Sequence, residues 1–318
     1  MKFFLKKILF FLVPITVILI SGLFLPATPR AAKSFLFADR QKDSLLKFTK
    51  EPRIIFVGGS NLSFGLNSYE IKDSLNLNPI NTAVNVGIGL KYMFKNTLQY
   101  VRRGDVIIIS PEYELFYQPY DAVSDELLRT VFDVAPQKIK FLSLKQGFGL
   151  LKYIPKFSLT KFDLTEYWGF KESDVYSVNS FDKFGDVDAH WNLEKRAYEP
   201  TPIEGNFNEN IITKIKAFQV AAENMGAKVY ITFPCLDEVS FKLSEEKVLK
   251  VEEALKKDSF NLLGSAERYM MPKDMLFNTK YHLNKSGLEY RTKLFIEDYK
   301  KATTSNNNSI NPASSDTL

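Results

Sequence analysis

The chain has one cysteine, Cys235, two histidines, His190 and His282, and two tryptophans in 318 residues. A single cysteine permits no intramolecular disulfide and no Cys-based zinc site. Two histidines exclude a His-rich metal centre. They also restrict any imidazole base to one of two positions.

Charge is missing from one long stretch. Ile8 to Pro26 is an uncharged apolar run of 19 positions, preceded by Lys2, Lys6 and Lys7. About 20 apolar residues cover a hydrocarbon core as a helix. Basic residues before the run favour a cytoplasmic N-terminus. The expectation is a signal anchor in residues 1–33, single-pass, with the folded domain periplasmic or at the cell surface. A cleaved signal peptide is the competing reading, with Pro26, Pro29 and Arg30 making a poor cleavage site.

The net charge of +5 would suggest an acidic partner. However, residues 1–33 hold five basic and no acidic residues, which leaves 37 of each sign in the rest of the chain. The folded part is therefore neutral, so no nucleic-acid partner is expected, and a neutral or weakly charged substrate fits better.

Beyond the anchor, residues 34–50 read as a polar stalk. Buried strands are predicted at Arg53–Gly58, Ala83–Val86, Val106–Ile109 and Ala227–Phe233. Helices are predicted at Ser68–Leu75, Leu90–Val101, Ser124–Val134, Asn208–Met225, Glu245–Lys257 and Asn284–Lys301. This alternation implies an α/β fold: a three-layer, doubly wound, mostly parallel sheet spanning residues 51–302. Residues 153–207 interrupt it with prolines, both tryptophans and many Phe and Tyr. They read as an irregular insertion packed by its own rings or as a substrate-facing cap. Residues 303–318 are Ser/Asn-rich and are expected to be disordered.

The sharpest local feature is Gly58-Gly59-Ser60-Asn61, directly after the first strand. Ligands bind outside the carboxyl ends of strands in such sheets, so Ser60 stands where a reactive group belongs. A plain Gly-rich turn, a helix-capping serine and a phosphate-binding loop are the alternatives. The second feature is Asn278-Thr279-Lys280-Tyr281-His282-Leu283-Asn284, which places a histidine just before the last helix. A serine is a weak nucleophile until an adjacent base takes its proton. The third feature, Asp186, Asp188 and His190, alternates as if on one strand face. It reads as a polar loop ahead of a metal or substrate site.

Together, Gly58-Gly59-Ser60, Asn85-Val86-Gly87-Ile88-Gly89 and His282-Leu283-Asn284 resemble the blocks of the SGNH (GDSL-type) hydrolase superfamily. The resemblance implies Ser60 as nucleophile, His282 as general base, and the N–H groups of Gly89 and Asn61 as oxyanion donors. It implies no cofactor. Three features depart from the family pattern. Gly59 stands where the family has Asp, the late Asp is absent, and no Asn follows the third strand. Glu112, Glu114 or Asp274 is therefore expected to orient His282. The implied function is an esterase or O-acyltransferase acting on acyl groups of a cell-surface or secreted carbohydrate. Its relatives would be the SGNH-like proteins of alginate acetylation and teichoic-acid D-alanylation, which work beside a membrane acyltransferase. A catalytically inactive binding or scaffold protein at the membrane is the alternative.

Overall fold

The computed structural model describes residues 2–310. The sheet is built from β1 (Arg53–Gly58), β2 (Asn78–Asn81), β3 (Val106–Ser110), β4 (Lys228–Thr232) and β5 (Leu262–Leu263). All neighbours are parallel and the spatial order is β2-β1-β3-β4-β5. The helices that matter here are α1 (Lys2–Phe24), α2 (Ala38–Phe48), α3 (Ser68–Leu75), α4 (Leu90–Leu98), α5 (Ile154–Thr160), α6 (Glu209–Asn224), α7 (Glu245–Lys257) and α8 (Lys285–Ile310).

Successive residues of a strand point to opposite faces, and both faces of this sheet are covered. Ile55, Val57, Ile107, Ile109, Val229 and Ile231 pack with residues of α2, α4, α6 and α7. Ile54, Phe56, Val106, Ile108 and Tyr230 pack with Ile71 of α3 and with Phe295 and Ile296 of α8. Burial on both faces is why these strands are uninterrupted apolar runs.

Three expectations shift. The strand expected at Ala83–Val86 lies upstream, at β2. This edge strand carries Pro79, and a proline is tolerated at an edge because its missing N–H costs no ladder bond there. Residues 34–50 are not a free stalk. α2 packs on the domain, with Leu46 in the main core. Its buried charges are matched: Asp39 receives hydrogen bonds from Tyr92 Oη and Lys138 Nζ, and Lys42 Nζ donates to Gly185 O. In the expected tail, α8 runs on to Ile310, and residues 311–318 lie outside the described residues.

Among the described residues one stretch, Lys6–Ala32, most of it in α1, is long and apolar enough to cross a bilayer, and it is almost wholly exposed.

Candidate functional site

β1 delivers Ser60 to the carboxyl edge of the sheet, at the start of a single helical turn, Ser60–Ser63. Beside it β3 ends, and Glu112 follows at once. The Glu112 carboxylate is buried and accepts the N–H of Asn61 at 3.0 Å and of Gly59 at 3.2 Å. Gly59 is required for this: a Cβ there would collide with both Glu112 carboxylate oxygens. Burial raises the Glu112 pKa, and the Asn61 N–H opposes that by favouring the anion.

The turn is anchored from below by Arg291 of α8, which is 1% exposed. Its guanidinium donates to Asn61 O, to Asn61 Oδ1 at 2.9 Å and to Ser110 Oγ at 3.3 Å. Asn61 Nδ2 in turn donates to Ser110 O at 2.9 Å. Both backbone and side chain of Asn61 are thus committed to holding the turn.

His282 arrives on a short antiparallel hairpin, Leu276–Thr279 with His282–Leu283. Two contacts bind this hairpin to the Ser60 turn. Leu283 N–H donates to Phe64 O at 3.3 Å, and the Phe64 ring stacks on the His282 ring with centroids 4.0 Å apart. The ring's Nδ1 lies 2.9 Å from Asn278 Oδ1. Tyr176 Oη lies 3.4 Å from the same nitrogen; with the amide oxygen facing the ring, Nδ1–H donates to it and Nε2 keeps its lone pair. The Asn278 amide is itself fixed, because Nδ2 donates to Tyr176 Oη at 2.7 Å. Burial depresses the His282 pKa to about 3.

Ser60 and His282 line one cavity of about 560 Å³, together with Glu112, Glu114, Asn278 and Tyr198. Asn61, Gly89 and Asp274 do not line it. The Asn61 N–H is occupied by Glu112, and the Gly89 N–H by Val86 O. None of the three carboxylates is hydrogen-bonded to His282 among the described residues. Glu112 holds the Ser60 turn. Glu114 accepts from Tyr281 Oη at 2.6 Å and pairs with Lys280 at 2.7 Å. Asp274 is engaged through its backbone carbonyl, which Asn284 Nδ2 reaches at 2.6 Å. The side chain bonded to Nδ1 is instead Asn278, at the i−4 position. A search confined to acids passes over it.

The insertion divides in two. Tyr176, Tyr198, Glu199 and Thr201 reach the site, whereas α5 packs away from it, along α1. Asp186, Asp188 and His190 do not converge. Asp186 accepts from Ser68 and Asn81, and His190 Nε2 donates to Leu283 O at 2.8 Å.

Burial also depresses His190, to about 4. Both rings therefore fold neutral, while in the unfolded chain they bind protons below about pH 6.5. The unfolded state then holds more protons as pH falls, so this stability is present above 6.5 and is lost progressively toward 3–4. Each ring contributes a loss of about 2 kcal/mol between pH 7 and pH 5. The thermal midpoints of the full chain and of His190→Gln, which keeps a donor for Leu283 O, are compared in detergent micelles over that interval. The parent should lose more stability than the variant by one ring's share, about 2 kcal/mol. Taking the difference between the two proteins removes the opposing contribution of Asp186, whose pKa burial raises. Equal drops in both proteins would contradict the assignment.

No protein-family profile, curated protein or solved structure matches this chain.

Proposed function

We propose that this chain is a membrane-anchored, extracytoplasmic serine hydrolase or acyltransferase of SGNH type. It would act on ester or acyl groups of a cell-surface or secreted carbohydrate. One observation carries the reading. Ser60, at a strand's carboxyl end, and His282, distant in sequence, line the same cavity, with Nδ1 of the ring 2.9 Å from Asn278 Oδ1. In this scheme Ser60 Oγ attacks the acyl carbon and its proton passes to His282 Nε2. The resulting imidazolium then protonates the leaving oxygen, and water or an acceptor hydroxyl takes the acyl group in a second, reversed step. Asn278 supplies the orienting role with an amide, as in Cys-His-Asn sites. Gly59 also finds a rationale: the carboxylate absent from the first block is supplied by Glu112 from the neighbouring strand. Lys6–Ala32 supports the membrane placement, and Lys2, Lys6 and Lys7 favour a cytoplasmic N-terminus.

A second reading, a binding protein that has lost catalysis, is favoured by the same carboxylate. Glu112 occupies the Gly59 and Asn61 N–H groups, and an anion there opposes an oxyanion nearby. The two readings separate with a fluorophosphonate probe on the full chain in detergent micelles. The enzyme reading expects covalent labelling that disappears in Ser60→Ala. No labelling in a folded parent protein, together with no release of acetate from acetylated sugars, would leave the binding reading.

A further inference from the structure

We propose that residues 144–168 form a second membrane-contacting surface, a platform that rests in the bilayer interface beside α1. This rests on α1 remaining in the bilayer and is independent of the chemistry assigned to Ser60 and His282.

The segment is apolar on the wrong side for a water-facing surface. Leu144 is 86% exposed, Phe148 73%, Trp168 70% and Leu164 69%. Leu144, Phe148 and Leu151 recur at i, i+4 and i+7, which places them on one helical face. That face is exposed, while the helix Leu144–Leu150 buries Gln146 and Leu150. A helix on a water-facing domain surface has the opposite arrangement.

The platform is continuous with the candidate span. α5 runs along the C-terminal part of α1. Gly22 approaches Ser158 so closely that a Cβ would collide with the Ser158 carbonyl. Leu23 joins the cluster of Leu128, Leu150 and Phe157, and the Phe24 ring meets Phe132 at 6.4 Å. The exposed apolar surface therefore begins where the apolar helix leaves off. No soluble stalk intervenes between the span and the domain.

The charges suit lipid headgroups. Lys152 and Lys156 are exposed beside the apolar face. A cavity of about 450 Å³ at the foot of α1 is lined by Arg30, Lys33, Arg129, Lys156 and Lys171, against three acids. Tryptophan at the headgroup level, with lysines reaching the phosphates, is the composition of an interfacial element. A protein–protein surface is instead depleted of lysine.

Tryptophan fluorescence tests this directly, because the chain has only Trp168 and Trp191. Full-length Trp191→Phe is placed in phosphatidylcholine–phosphatidylglycerol vesicles with or without acyl chains brominated at carbons 6 and 7. Flotation after carbonate extraction confirms that α1 is inserted. Trp168 emission should fall at least twofold in the brominated vesicles. Trp191, read in Trp168→Phe and packed against the main core, should change little. Leu144→Asp combined with Phe148→Asp, on the exposed face, should reduce the Trp168 quenching. Unquenched Trp168 in a chain that floats would overturn the proposal. So would unquenched Trp168 accompanied by Phe148→Cys crosslinks between copies, which would make the face a protein interface instead.

Discussion

Replacing His282 by alanine should slow covalent modification of Ser60 roughly 10²-fold, the low end of a positioned general base's contribution, because burial makes the ring a weak base. The serine hydroxyl needs a base, and His282 is the imidazole that lines its cavity. His190 cannot take over. Its Nε2–H is spent on Leu283 O, and its Nδ1 is buried without a hydrogen-bond partner. The loss in His282→Ala should therefore persist at neutral pH, with no second imidazole to replace the first. The measurement is the second-order rate of fluorophosphonate inactivation, parent against variant, from pH 5 to 9. A variant that reacts as fast as the parent would remove His282 from the chemistry while leaving Ser60 in place.

The pH profile carries a second signature of the same ring. A base with a pKa near 6.5 loses half its neutral form at that pH. His282, depressed to about 3, is neutral from pH 8 down to about pH 5. The parent's rate should therefore stay flat from pH 8 down to about pH 5, with no limb near 6.5. Asn278→Asp restores an anion at the hydrogen-bonding distance of Nδ1. An opposite charge there favours the imidazolium, so an acid limb should appear and move up toward the ordinary histidine range.

How much of this was legible in the sequence depends on the range of the interactions involved. β1, β3 and β4 announced themselves because burial on both faces demands continuous apolar runs. β5 escaped because two residues, Leu262–Leu263, carry no periodicity. β2 escaped because Asn78 and Pro79 look like turn residues, and only their edge position makes them acceptable in a strand. The polar α2 looked solvated because its buried charges find partners far along the chain: Asp39 meets Lys138, and Lys42 meets Gly185. At the site, Ser60 and His282 stood out as a serine after a Gly-rich strand end and one of two histidines. Asn278 did not, since the expected orienter was an acid. A neutral amide serves where the ring is too buried to hold a charge easily.

Arg291→Met should destabilise the folded chain by about 3 kcal/mol, the cost of leaving several buried acceptors without their donor. Read as sequence, a lone arginine in a polar C-terminal helix belongs in water. In the structure it is 1% exposed, and its guanidinium spans Asn61 O, Asn61 Oδ1, Ser110 Oγ and Phe233 O. Methionine fills much of the same volume, so the loss is not chiefly a cavity. It comes from acceptors left buried without donors, each worth about 1–3 kcal/mol. These acceptors belong to the turn that starts with Ser60, so the damage is local as well as global. The Asn61–Leu62 peptide would lose its anchor, leaving Glu112's bond to the Asn61 N–H to hold the turn. Arg291→Lys keeps the charge but replaces a fork with a single point donor. It should recover part of the stability and little of the geometry. The expected order of thermal midpoints is parent, then Arg291→Lys, then Arg291→Met. Serine reactivity, normalised to folded protein, should fall in both variants. A folded Arg291→Met that labels as fast as the parent would show that the turn holds its shape without the guanidinium. In that case Glu112, bonded to the same turn from the opposite side, would be the group that fixes Ser60.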